Sequence, residues 1–242
     1  MDKEGKSTLL LKHALKAWES GLAALERHSN LSPLVVHDQC VSFDGDVLFE
    51  TTRGLHVLTM GKCAQRLAVA ASERLGDLLR NGFIVSQEEQ QLPPPWIHSI
   101  GGHPSPNINS LLAAEKLCEW LEALKPSDQL LVMMSGGASA MAELPAPGWS
   151  LANLAQARMD DLAAGMPIDR INHRAAERSL IKDGGLARRT ACPWRQLTIN
   201  DVGDGVDGIV SSGPFLGLHG QDITLANHRT AAVSAIAYLK SQ

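Results

Sequence analysis

Two short runs concentrate the residues that could do chemistry. In the first, the apolar stretch Leu130 to Met134 stops at Ser135-Gly136-Gly137 and restarts as small residues, Ala138-Ser139-Ala140. A buried strand hands over to a helix through such a glycine turn. Backbone N–H groups and the Ser135 and Ser139 hydroxyls can then face one point, which suits a phosphate or carboxylate. In the second, Asn200-Asp201-Val202-Gly203-Asp204 is the acidic glycine turn that ends the strand predicted over WRQLTI. Carboxylates at a strand end hold magnesium or polarise a hydroxyl, and equally they cap the following turn. Lys62 follows Met60-Gly61 at the start of a helix. From there a cation reaches an anionic ligand or a transferring phosphoryl group. His103, in the loop GGHPSP, has no carboxylate near it in sequence, so its expected role is to orient a ligand.

These residues need a scaffold that brings strand ends together. Apolar spacing predicts a helix over 7–28, with Leu9, Leu10, Ala14, Trp18, Leu22 and Leu25 on one stripe. Asp44-Gly45 between alternating apolar residues predicts a hairpin. A strand over 54–59, a glycine turn and a helix over 63–75 follow, then a short strand after Asn81-Gly82. The Pro-rich segment up to Asn109 reads as loop, and Ser110 to about Leu124 as helix. Further helices are expected from Ser150 to about Gly165 and after Pro167, with a closing helix from Asn227. Strands and helices alternate, which predicts a three-layer α/β/α, Rossmann-like domain with a mainly parallel sheet, occupying 1–242 as one domain. Ligands in such sheets bind outside the carboxyl ends of the strands. The turns at Met60-Gly61-Lys62, Ser135-Gly136-Gly137 and Asn200 to Asp204 share one crevice if their strands are neighbours.

Composition narrows the partners. A net charge of −4 and no basic cluster argue against nucleic acid and anionic membranes. No apolar run reaches the ~20 residues of a membrane span, and the N-terminal residues lack a signal-peptide pattern, so a cytoplasmic protein is expected. Cys40, Cys63, Cys118 and Cys192 have no pairing or zinc-ligand spacing and read as reduced, mostly buried thiols. The chain has neither the Walker A pattern nor a GxGxxG after a strand, so a nucleotide-dependent reductase has no fingerprint here.

Taken in order, several motifs resemble the N-terminal domain of the class II glycerate 2-kinases, a family often mislabelled hydroxypyruvate reductase. Gly61-Lys62 is similar to its GKA turn, and Gly102-His103-Pro104-Ser105-Pro106 through Asn109-Ser110 to its GHPxPDxNS loop. Ser135 to Ala140 resembles SGGGSA, with Pro147 to Leu151 continuing the match. Ile171-Asn172, Ser179 and Ile181-Lys182 resemble INxVRKxLSxIKGG. Asp201-Val202, Gly203-Asp204 and Ser212-Gly213-Pro214 resemble SDVxGDD and ASGPT.

The resemblance implies ATP- and magnesium-dependent phosphorylation of D-glycerate, or a related small hydroxy acid, at the 2-hydroxyl. Lys62, Asp201 and Asp204 would be catalytic, with Asp201 and Asp204 as the metal ligands. Ser135, Gly136, Gly137, Ser139, His103, Asn172, Lys182 and Ser212 would bind substrate or phosphate. The family's C-terminal MOFRL domain has no counterpart in these residues, so a homodimer or a separate partner would complete the cleft. Four positions depart from the family: Asn107 for Asp, Ala175 for the Arg of VRK, Asp183 for the first glycine of IKGG, and Asn200 for the Ser of SDV. Alanine does not replace arginine's bidentate donors, and Asp183 beside a phosphate would repel it. The alternative is therefore a non-catalytic homologue that binds a small anionic metabolite or nucleotide.

Overall fold

A computed structural model describes residues 3–50, 54–89, 92, 95–200, 212–216 and 220–241. Its centre is a parallel sheet of β4 (Leu55–Met60), β5 (Leu79–Ser86), β6 (Trp96–Ile100), β7 (Leu130–Met134), β8 (Trp194–Ile199) and β9 (Gly220–Ala226). The strand order is β6-β5-β4-β7-β8-β9, and every neighbouring pair is parallel. All residues of β4 and β7 are buried, because parallel strands at the middle of a sheet are covered on both faces. Their unbroken apolar runs have the same cause.

Alternate side chains serve two cores. Leu58, Met60, Val132 and Met134 meet Ala113, Leu117 and Leu121 of α3 (Ile108–Glu122) on one face. Val57, Leu131, Met133 and Leu197 meet Leu67 and Ala71 of α2 (Ala64–Leu75) on the other. That second core also takes Leu34, Val41 and Phe49 from a separate antiparallel sheet of β1 (Leu34–His37), β2 (Cys40–Phe43) and β3 (Asp46–Glu50). The expected hairpin is the β2–β3 pair, with Asp44 and Gly45 at positive φ in its turn. The three-layer α/β expectation therefore holds.

The remaining helices are α1 (Lys3–Ser29), the short α4 (Ala138–Met141), α5 (Leu151–Ala163), α6 (Ile168–Glu177) and α7 (His228–Lys240). The capping signals act as the chain suggests. Ser150 accepts from the Asn153 N–H at 3.2 Å. Asn107 forms a capping box with Ser110, so the residue that departs from the family's Asp does the same local job.

Two strands escape the sequence pattern. The Pro-rich segment read as loop contains β6, and the stretch between Phe215 and the closing helix contains β9. Both are edge strands, where one side lacks a ladder partner and the apolar pattern is correspondingly weak. The four cysteines are unpaired thiols; Cys118 and Cys192 are buried, and Cys40 and Cys63 half-buried. Among the described residues no helix is long and apolar enough to cross a membrane.

Candidate functional site

The three suspect turns follow β4, β7 and β8, which are consecutive in the sheet. Their common crevice at the carboxyl edge is thus met for the strands themselves. Asp201 and Asp204, expected as catalytic and metal-binding carboxylates, lie outside the described residues. Asn200, just before them, is buried.

The β4 and β7 turns are locked together. The Ser135 N–H donates to the Met60 carbonyl at 3.0 Å, and the Lys62 N–H to the Gly136 carbonyl at 3.0 Å. The Ser135 hydroxyl, expected to face a ligand, is buried; it accepts the Cys63 N–H at 3.0 Å. Gly61, at φ +113°, is required here, since a Cβ would run into the Ser135 carbonyl. Ser135 therefore acts on the first turn of α2, and through it on Lys62.

That lock sets the Lys62 stem beside Gly137 and His103. A Cβ on Gly137 would lie 3.1 Å from the Lys62 Cγ, 3.1 Å from the His103 Cδ2 and 3.2 Å from the His103 Nε2. Lys62, His103 and Gly137, far apart in sequence, thus share one small cradle. Gly137 has φ +91° and forms the N-cap of α4, so glycine suits both its backbone and the space above it. Burial, and then the neighbouring Lys62 charge, push the His103 imidazole below its ordinary pKa of 6.5. His103 is accordingly neutral at pH 7 and can donate or accept one hydrogen bond.

The His103 loop is held by backbone contacts. The Gly101 N–H donates to the Ser86 carbonyl at 2.8 Å, and the Gly102 N–H to the Ser110 hydroxyl at 2.9 Å. Ser139 and Ser212 also meet, with their hydroxyl oxygens 3.2 Å apart. The SGP turn joins the Lys182 segment through bonds from the Asp183 N–H to the Ser212 carbonyl (3.0 Å) and the Gly184 N–H to the Gly213 carbonyl (2.7 Å). Asp183 sits at φ +47°, a left-handed conformation that Asp tolerates better than most residues. That explains why the family's glycine can be replaced there. Its side chain is exposed. Asn172 is half-buried on α6, and among the described residues no hydrogen bond joins it to the Lys62 cradle.

Lys182 has a partner that pattern reading misses. It is buried and ion-paired with Glu143, which is also buried, while Glu143 Oε1 has no hydrogen-bond partner among the described residues. The Glu143 N–H donates to the Ser110 carbonyl at 3.1 Å. The pair therefore ties the chain just after α4 to the Lys182 segment, against which the SGP turn is bonded. An acid directly after the apolar Ala140-Met141-Ala142 was the available signal, since a buried carboxylate demands a cation.

Comparison with known proteins identifies the group. The family described as a domain of unknown function, DUF4147, matches residues 11–230. The chain belongs to this family, the N-terminal domain of class II glycerate kinases. The D-glycerate 2-kinase of Thermotoga maritima is 33% identical over 162 residues, covering 65% of this chain and 39% of that protein. The glycerate 2-kinase of Pyrococcus horikoshii is 32% identical over 168 residues, 69% of this chain and 38% of that one. The glycerate kinase of Bos taurus is 30% identical over 236 residues, 86% and 43% respectively. The chain spans about two fifths of the length of these relatives. Among solved structures, the PH0495 protein of Pyrococcus horikoshii superposes with a TM-score of 0.71 at 26% identity, covering 99% of this chain and 55% of that one. The glycerate kinase of Thermotoga maritima shares the fold, with a TM-score of 0.76 at 22% identity over 98% of this chain and 63% of that one.

Two outcomes follow from this DUF4147 site. Lys182→Met leaves Glu143 buried and uncompensated, and should cost about 3–5 kcal/mol in chemical denaturation. Glu143→Leu with Lys182→Met should recover most of that loss. A single-variant cost under about 1 kcal/mol would contradict the buried pair. In an NMR titration the His103 ring should protonate below pH 6.5 in the wild type. Lys62→Met should raise that midpoint, and an unmoved midpoint would place the lysine charge elsewhere.

Proposed function

We propose that this chain is glycerate 2-kinase-like: it transfers the γ-phosphoryl group of ATP to the 2-hydroxyl of D-glycerate or a related small hydroxy acid. The convergence of Lys62 and His103 above Gly137 carries this reading. The Lys62 stem and the His103 ring lie so close over Gly137 that a Cβ there would stand 3.1 Å from each, so a cation and a neutral imidazole can address one carboxylate or phosphoryl group at the mouth of this turn. The names of the relatives, glycerate kinase and glycerate 2-kinase, supply the substrate class.

In the proposed reaction the 2-hydroxyl oxygen forms a bond to the γ-phosphorus while the bond from that phosphorus to the β–γ bridging oxygen breaks. ADP leaves with the electron pair, and the hydroxyl proton passes to a base. Lys62 offsets the charge that builds on the transferring group, which is where most of the catalytic effect lies in phosphoryl transfer. His103 orients the acid by a hydrogen bond, and its neutral state leaves it able to accept a proton. Ser139 and Ser212 offer hydroxyls at the rim. Lys182 contributes through its pair with Glu143, as a support for the Ser212 turn. Magnesium, when bound, would neutralise phosphate charge; Asp201 and Asp204 are its proposed ligands. Among the described residues no group of three or more His, Cys, Asp or Glu is arranged to hold a metal ion. The proposed enzyme acts in the cytoplasm, 1–242 forms one domain, and a second copy or a C-terminal domain covers its cleft.

Ala175, on α6 where the family resemblance calls for arginine, favours a second reading. In that reading the cradle binds a small anionic metabolite or nucleotide without turnover. Thermal unfolding with D-glycerate, with ATP–magnesium and with both, followed by a phosphoryl-transfer assay, separates the two. Ligand at ~100 times its dissociation constant should stabilise the wild type by roughly 2.7 kcal/mol and leave Lys62→Ala unchanged. Product formation supports the kinase, and stabilisation without product supports the binding module. No shift and no product would contradict both.

A further inference from the structure

Helix α1 carries an apolar stripe that its packing against α7 leaves bare. On the packed flank Ala17 is buried, the Ser20 and Ser234 hydroxyls lie 2.8 Å apart, and His13 Nδ1 is 3.3 Å from the Tyr238 hydroxyl. A Cβ on Gly21 would sit 3.0 Å from the Ala231 carbonyl, so the two helices touch closely. On another flank Leu11, Leu15, Trp18 and Leu22 are 63%, 55%, 67% and 47% exposed, and half-buried Leu25 continues the line. The steps of four, three, four and three residues are those of a coiled-coil seam, with Leu15 and Leu22 at a and Leu11, Trp18 and Leu25 at d.

We propose that this stripe is a homodimer interface, in which α1 of one copy pairs antiparallel with α1 of a second copy. The charges beside the seam select that occupant. Lys12 and Glu19 hold successive e positions, and both are exposed. An antiparallel pair that seats Leu11 against Leu22 and Leu15 against Trp18 sets Lys12 of each copy beside Glu19 of the other. The twofold axis makes this contact twice. A parallel pair would instead set Glu19 against Ala14 and Glu26 against Gly21, with no ion pair. Because α7 already supports α1, pairing carries no helix-nucleation cost. In this register Leu25 falls opposite Thr8, so the seam has four apolar layers, and so short a contact makes a reversible dimer. The site at the sheet edge plays no part in this argument.

Sedimentation equilibrium of the full chain over about 1–100 µM, a range that brackets micromolar affinity, tests the proposal. The wild type should pass from monomer to dimer. Trp18→Glu and Leu15→Lys, each checked for native circular dichroism, should remain monomeric. Lys12→Glu should weaken the dimer by about tenfold through two like-charge contacts, and adding Glu19→Lys should restore it. A chain monomeric throughout, or a dimer indifferent to Trp18→Glu and Leu15→Lys, would overturn the interface. A charge-swapped double variant that stays weak would overturn the antiparallel register.

Discussion

The approach of the β4 turn to the β7 turn is the contact on which the carboxyl edge of the sheet depends. Hydrogen bonds span it, among them Ser135 N–H to Met60, Lys62 N–H to Gly136, and Cys63 N–H to the Ser135 hydroxyl. Such closeness is open only to a glycine at position 61, where a side chain would strike Ser135. The register of β4 against β7, with Met60 opposite Met134, delivers the two turns to the same level. Lys62 and Gly137 then meet as neighbours although 75 positions separate them in the chain. The cradle is therefore a product of strand adjacency, with side-chain chemistry added afterwards.

Around that contact the structure spends polar residues on support. Ser135 staples two turns, Ser110 holds the Gly102 N–H while closing the capping box of α3, and Lys182 neutralises Glu143 in the interior. A buried ion pair of this kind contributes little net stability against an apolar alternative, yet losing either partner is costly. Its effect is to fix how the chain just after α4 sits against the Lys182 segment. In each case the polar group reaches the ligand space through the backbone it positions.

How far the sequence discloses this depends on the physical signal each element carries. Central strands β4 and β7 were legible because burial on both faces forces unbroken apolar runs. Helix α5 was legible because Ser150 advertises its cap, whereas α3 was read from its apolar spacing after Ser110 and its cap, Asn107, was not seen. Edge strands β6 and β9 were not, since a strand at the rim of a sheet needs no unbroken apolar run and the Pro-rich context of β6 reads as loop. At the site, the glycine turns follow strands that are neighbours in the sheet, while the Asp201 to Asp204 turn lies outside the described residues. Glu143 went unseen because no local pattern announces a cation arriving from Lys182, 39 positions away. The apolar spacing of α1 announces a stripe without saying what covers it; only the helix packing shows that Trp18 and Leu22 stay exposed beside α7.

A crystal structure of the chain grown with D-glycerate and a non-hydrolysable ATP analogue would test the central claim most directly. Density for a carboxylate or the terminal phosphoryl group is expected at the mouth of the Gly137 turn, in contact with both Lys62 and His103. Ligand density away from this cradle, or none at saturating concentration, would contradict it.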